Sequence, residues 1–69
     1  MSELNYQDNF QERLIREAER LHITSISRSQ AYQLEKQGRF PKRITLGRRS
    51  VGWRLSEILA WVNQRSKEV

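Results

Sequence analysis

The chain has 69 residues, no cysteine and a formal net charge of +5. Its length allows one domain, which buries only about 60% of its unfolded surface and has no room for a deep catalytic cleft beside its core. The missing cysteines exclude a disulfide framework and a thiolate metal site, and the basic balance favours anionic partners.

Residues 1–12 hold Glu3, Asp8 and Glu12 and no Lys or Arg. They are polar and read as a mobile N-terminal tail, with Tyr6 and Phe10 as exceptions and Phe10 a candidate to dock on the body. Met1-Ser2-Glu3-Leu4 lacks the positive and apolar regions of a signal peptide. No apolar run is long enough to span a membrane. Together with the absence of cysteine, these features suit a cytoplasmic location without a membrane partner.

Arg13-Leu14-Ile15-Arg16 has two readings. It fits a short edge strand, and it fits the middle of a longer helix, because Phe10, Leu14, Ala18 and Leu21 fall at helical spacing. From Glu17 to His22 the pattern is helical, with Ala18 and Leu21 predicted inward and Arg20 outward. Ile23-Thr24-Ser25-Ile26 reads as a tight connection whose two isoleucines fill the angle between helices. His22 is the single histidine. Without a second ligand or a nucleophile it supports neither a metal site nor catalysis, and it reads as a solvated helix-end residue.

The stretch from Ser27 to Pro41 predicts a second helix with both ends written in. Ser27 is a suitable N-cap and Gln30 completes a capping-box spacing. Gly38 supplies a left-handed stop and Pro41 prevents a restart. Ala31 and Leu34 share one face. Ser29, Gln33 and Lys36 lie opposite, flanked by Gln30, Tyr32 and Gln37, with Glu35 toward the buried side. Amides, hydroxyls and cations over a narrow apolar strip suit a helix that enters a DNA major groove; an ordinary solvated face gives the same pattern.

Beyond Pro41 the period changes. Arg43-Ile44-Thr45-Leu46 alternates with β-branched residues, Gly47-Arg48-Arg49-Ser50 reads as a turn, and Val51-Gly52-Trp53-Arg54 reads as a returning strand. The result is a β-hairpin with a basic tip. An isolated hairpin is marginal in water, so an apolar face made of Ile44, Leu46, Val51 and Trp53 is expected to pack on the helices, with Trp53 in the core. Ser56 is the expected N-cap of a last helix from Glu57 to about Ser66, with Leu55, Ile58, Trp61 and Val62 as its apolar stripe and Trp61 in the core. Residues 67–69 are expected to fray. The fold class is therefore α+β: a small winged helix-turn-helix of three helices and a short hairpin wing, spanning 13–66.

Charge follows this plan. Between residues 28 and 54 eight cations (Arg28, Lys36, Arg39, Lys42, Arg43, Arg48, Arg49, Arg54) face one acid, Glu35. Cations gathered around a candidate recognition helix are an electrostatic footprint of nucleic-acid binding.

The segments Leu14-Ile15-Arg16, Thr24-Ser25-Ile26-Ser27-Arg28-Ser29, Tyr32-Gln33-Leu34, Gly38-Arg39-Phe40-Pro41-Lys42, Leu46-Gly47, Val51-Gly52-Trp53-Arg54, Ser56-Glu57 and Ala60-Trp61-Val62 resemble the AlpA family of prophage regulators. The resemblance runs without gaps from about Arg13 to Arg65. It implies a winged-helix fold related to MerR-type domains and phage excisionases, and a strand at Leu14-Ile15-Arg16 paired with the wing. It also implies binding near attachment sites or promoters of mobile elements, to promote excision or control integrase expression. Three positions depart from the family's habit, which is Gly at Ser25 and apolar residues at Glu17 and Arg20. These bear on the turn and on the packing of the first helix.

The leading functional reading is a sequence-specific binder of double-stranded DNA. Arg28, Ser29, Gln30, Gln33 and Lys36 are the expected groove contacts, with Gln33 suited to adenine and Arg28 to guanine or a phosphate. Thr24, Tyr32 and Arg43 are expected on phosphates, and the wing tip, Arg48 and Arg49, along the backbone into the minor groove. An integrase or recombinase and further copies of the chain on DNA are candidate partners, and the location would be nucleoid-associated. The alternative is a protein-binding adaptor that meets an acidic partner on the same scaffold. With no nucleotide-binding glycine loop, paired carboxylates or nucleophile, no enzyme, cofactor or metal is expected.

Overall fold

The computed structural model describes residues 13–67. The N-terminal tail expected over 1–12, the docking of Phe10 and the last two residues of the fraying expected over 67–69 lie outside the described residues, while residue 67 is still helical. Strand β1 (Leu14–Ile15) leads into helix α1 (Glu17–Thr24) and then helix α2 (Arg28–Lys36). Strands β2 (Ile44–Thr45) and β3 (Val51–Arg54) form the hairpin, and helix α3 (Leu55–Lys67) follows β3 directly. The sheet is antiparallel with order β1-β3-β2. Among the described residues the fold is α+β, three helices and a three-stranded sheet, consistent with a small winged helix.

The ambiguous segment at Leu14–Ile15 is a strand, with Ile15 opposite Trp53 and Leu14 opposite Arg54. Residues opposite each other point to the same side of a sheet, so Ile15 shares the core side with Trp53. A continuous helix from Phe10 would have sacrificed this pairing. Ile15, Ala31, Phe40, Trp53, Leu55 and Ile58 form the buried core, with Ile23, Ile26, Leu34, Val51 and Trp61 packed on it.

The inward face of α1 is not the predicted one. Ala18 is exposed and Leu21 is 45% exposed, while Arg20 is 0% exposed. Arg20 is buried because every side of its guanidinium meets a partner. Nε donates to Glu17 Oε1 at 3.3 Å, and Nη2 to Glu17 Oε2. Nη1 donates to Thr24 Oγ1 at 3.1 Å and to the Ile26 carbonyl at 2.8 Å. The group also lies 5.6 Å from the centre of the Trp53 ring, close enough for a cation–π contribution. Glu17 and Arg20 are thus one unit, two polar residues of α1 paired with each other.

The turn between α1 and α2 forms without glycine. Ser25 adopts the left-handed region, φ 64°, and its amide donates to the Leu21 carbonyl at 2.7 Å. Helix α2 has the predicted ends. Ser27 Oγ accepts from the Gln30 amide at 3.1 Å. At the other end Gly38 has φ +73°, Gly38 N donates to Glu35 O at 3.0 Å, and Arg39 N donates to Leu34 O at 2.8 Å. This is the paired-bond stop in which glycine avoids a Cβ penalty.

The hairpin forms, but its apolar residues divide between two faces. Ile44 pairs with Gly52 and Thr45 with Val51, so Ile44 and Leu46 lie on the side away from Val51 and Trp53. Leu46 is instead folded over Gly52. A Cβ at Gly52 would stand 2.8 Å from Leu46 Cδ1 and 2.8 Å from the Ile15 carbonyl oxygen, which explains glycine in mid-strand.

Helix α3 starts at Leu55, directly from β3, so Ser56 lies within the first turn and is not the cap. The Leu55 amide is met by the Arg13 carbonyl at 2.9 Å, one free helix-start donor satisfied by the chain before β1. Trp61 is half-buried rather than buried. Its Nε1 donates to the Arg39 carbonyl at 2.9 Å and its ring meets Phe40 edge-on at 5.0 Å, which fastens α3 to the segment after α2.

Candidate nucleic-acid interface

Helix α2 buries Ala31, half-buries Leu34 and Glu35, and leaves Arg28, Ser29, Gln30, Gln33 and Lys36 exposed. All five residues predicted for groove contact therefore stand on the solvent side. Tyr32, also exposed, lies between two cations, Lys36 Nζ at 5.4 Å and the Arg43 guanidinium at 5.2 Å from its ring centre. Arg43 also faces Glu35 at 3.7 Å. Tyr32 and Arg43 are thus coupled to each other and to the end of α2.

The tip of the hairpin is closed by Leu46 N donating to Ser50 O at 2.8 Å. Arg48 and Arg49 project from this closed turn and are exposed. Between α2, the start of α1 and the hairpin runs an open cleft of about 630 Å³. Arg28, Ser29, Tyr32, Arg43 and Arg49 line it, together with Trp53 and Val51 from β3. Gln30, Gln33, Lys36 and Arg48 do not line it; they stand on the exposed surface around it.

Arg16 lines the cleft as well and was not among the expected contacts. It precedes α1, in the stretch where strand and helix readings competed, so its direction was not legible before β1 was paired.

The Thr24 hydroxyl is engaged inside the fold. Its hydroxyl donates to the Arg20 carbonyl at 2.9 Å and accepts from Arg20 Nη1 at 3.1 Å. A hydroxyl has one proton to give, and in this arrangement Thr24 gives it to the Arg20 carbonyl.

Among the described residues no group of three or more His, Cys, Asp or Glu converges as a metal site requires, and no helix is long and apolar enough to cross a membrane.

A capped helix-turn-helix with a basic hairpin beside its second helix defines a small winged-helix protein. The chain belongs to the AlpA family: the family model described as prophage CP4-57 regulatory protein (AlpA) matches residues 13–66. Over 58 residues the chain is 41% identical to the uncharacterized protein ORF88 of Enterobacteria phage P4, a match covering 84% of this chain and 66% of the phage protein.

Proposed function

We propose that the protein is a sequence-specific double-stranded DNA-binding regulator of a prophage or mobile element. One observation carries this reading: the exposed polar face of α2 adjoins a cleft lined by four arginines, two of them from the hairpin and its approach. A helix fits the major groove, about 12 Å wide, and polar side chains there read base edges. A wing beside it reaches the neighbouring minor groove and the backbone between the two. The prophage regulatory protein named in the family's description is consistent with this role.

In this reading Gln33 pairs with an adenine edge, and Arg28, Ser29, Gln30 and Lys36 make the remaining contacts of α2. Tyr32 and Arg43 hold phosphates, and Arg48 and Arg49 carry the wing along the backbone. The protein acts as an excisionase, as a transcriptional regulator of integrase, or as both, since either role uses the same surface. Several copies bound side by side favour excision; one site at a promoter favours regulation.

Selection from a pool of random duplexes tests the proposal. Repeated rounds should enrich one sequence that binds much more tightly than its scrambled version. A pool that stays random, with weak binding at moderate salt, would overturn the proposal in favour of an adaptor for an acidic protein.

A further inference from the structure

We propose that Arg16 is a phosphate contact, and that the cleft between α1, α2 and the wing is the seat of the DNA backbone segment that separates the major groove from the minor groove. This rests on the DNA-binding reading and adds to it a contact from α1.

Four arginines reach the cleft from four places in the chain: Arg16 before α1, Arg28 in the first turn of α2, Arg43 before β2 and Arg49 at the wing tip. The two glutamates in the lining are already neutralised. Glu17 is bound by the buried guanidinium of Arg20, and Glu35 faces Arg43. Arg16, Arg28 and Arg49 form no ion pair among the described residues. Three unopposed cations around one groove make a positive field that a polyanion relieves.

The placement also fits the geometry of the duplex. A helix in one groove and a wing in the next must have a sugar-phosphate strand between them. The cleft separates α2 from the wing, and Arg16 closes it from the α1 side.

The test uses a short duplex of random sequence, because a backbone contact needs no operator. Arg16→Gln and Arg16→Lys are compared with the wild type over a salt series. Arg16 makes no side-chain cap bond, so both variants should melt with the wild type. Removing one phosphate contact lowers the salt slope by about 0.9. Between about 50 and 200 mM salt the Gln variant should thus lose roughly 3-fold less affinity than the wild type does. Arg16→Lys should retain the wild-type slope. An unchanged slope for Arg16→Gln, or equal slope losses for both variants, overturns the Arg16 contact while leaving the DNA reading in place. Failure of the wild type to bind any duplex overturns the DNA reading itself.

Discussion

Arg20 and Arg28 lie on adjacent helices and have opposite surroundings. Arg20 is enclosed, with Glu17, Thr24, the Ile26 carbonyl and the Trp53 ring around it. Arg28 is exposed, lines the cleft and meets no acid among the described residues. The first guanidinium joins α1 to the segment that begins α2, and all its interactions are internal. The second has no acidic partner among the described residues. The difference shows that net charge alone is a poor guide to an interface: a cation supplies an external field only where the fold has not already answered it. Arg13, held by Glu19 at 2.6 Å, falls with Arg20; Arg16 and Arg49 fall with Arg28.

The largest expected effect breaks the enclosed side. Trp53→Ala removes a core ring together with the surface under Arg20, and should cost roughly 3–5 kcal/mol. Chemical denaturation should show a domain unfolded or nearly so; a stable, cooperative variant would place the ring outside the core.

A more selective break is Glu17→Ala. It leaves the buried Arg20 without its carboxylate, and removing one partner of a buried pair costs about 3–5 kcal/mol, with the low end expected here because Glu17 is partly exposed. Replacing Glu17 and Arg20 together by leucine should restore most of that stability. If the double variant is as unstable as the single ones combined, the two residues are not a unit. Duplex binding by the folded double variant should keep its salt slope, since neither residue supplies the external field.

The smallest expected effect is a gain. Ser25 occupies a left-handed conformation that costs an L-residue about 1–2 kcal/mol and glycine little. Ser25→Gly should raise stability by about 1 kcal/mol, read as a shift of the denaturation midpoint; a loss would mean that the Ser25 side chain holds the turn.

What the sequence made legible was local chemistry. Ser27, Gly38 and Pro41 act through neighbours a few residues away, so the ends of α2 were readable, and the alternation around Gly47 marked the hairpin. What it hid depended on distant partners. Hydrophobicity selected Ala18 and Leu21 for the inward face of α1. The position went to Arg20, because a carboxylate three residues back, a hydroxyl and a carbonyl made its burial tolerable. Ile44 and Leu46 were assigned to the face of Trp53, but the register that sets Ile44 opposite Gly52 turned them away from it. The exposed face of α2 was readable as a surface from its apolar strip alone. The cleft beside it, and Arg16 within it, exist only once β1 has paired with β3.

The central claim is that α2 reads sequence while the cleft and wing hold the backbone. Competition binding of Gln33→Ala and Arg49→Ala on the selected duplex and its scrambled form tests it most directly. Gln33→Ala should lose about 1–3 kcal/mol on the selected duplex and almost nothing on the scrambled one. Arg49→Ala should lose similarly on both and lower the salt slope by about 1. Equal losses on the two duplexes for Gln33→Ala, with an unchanged slope for Arg49→Ala, would contradict the account.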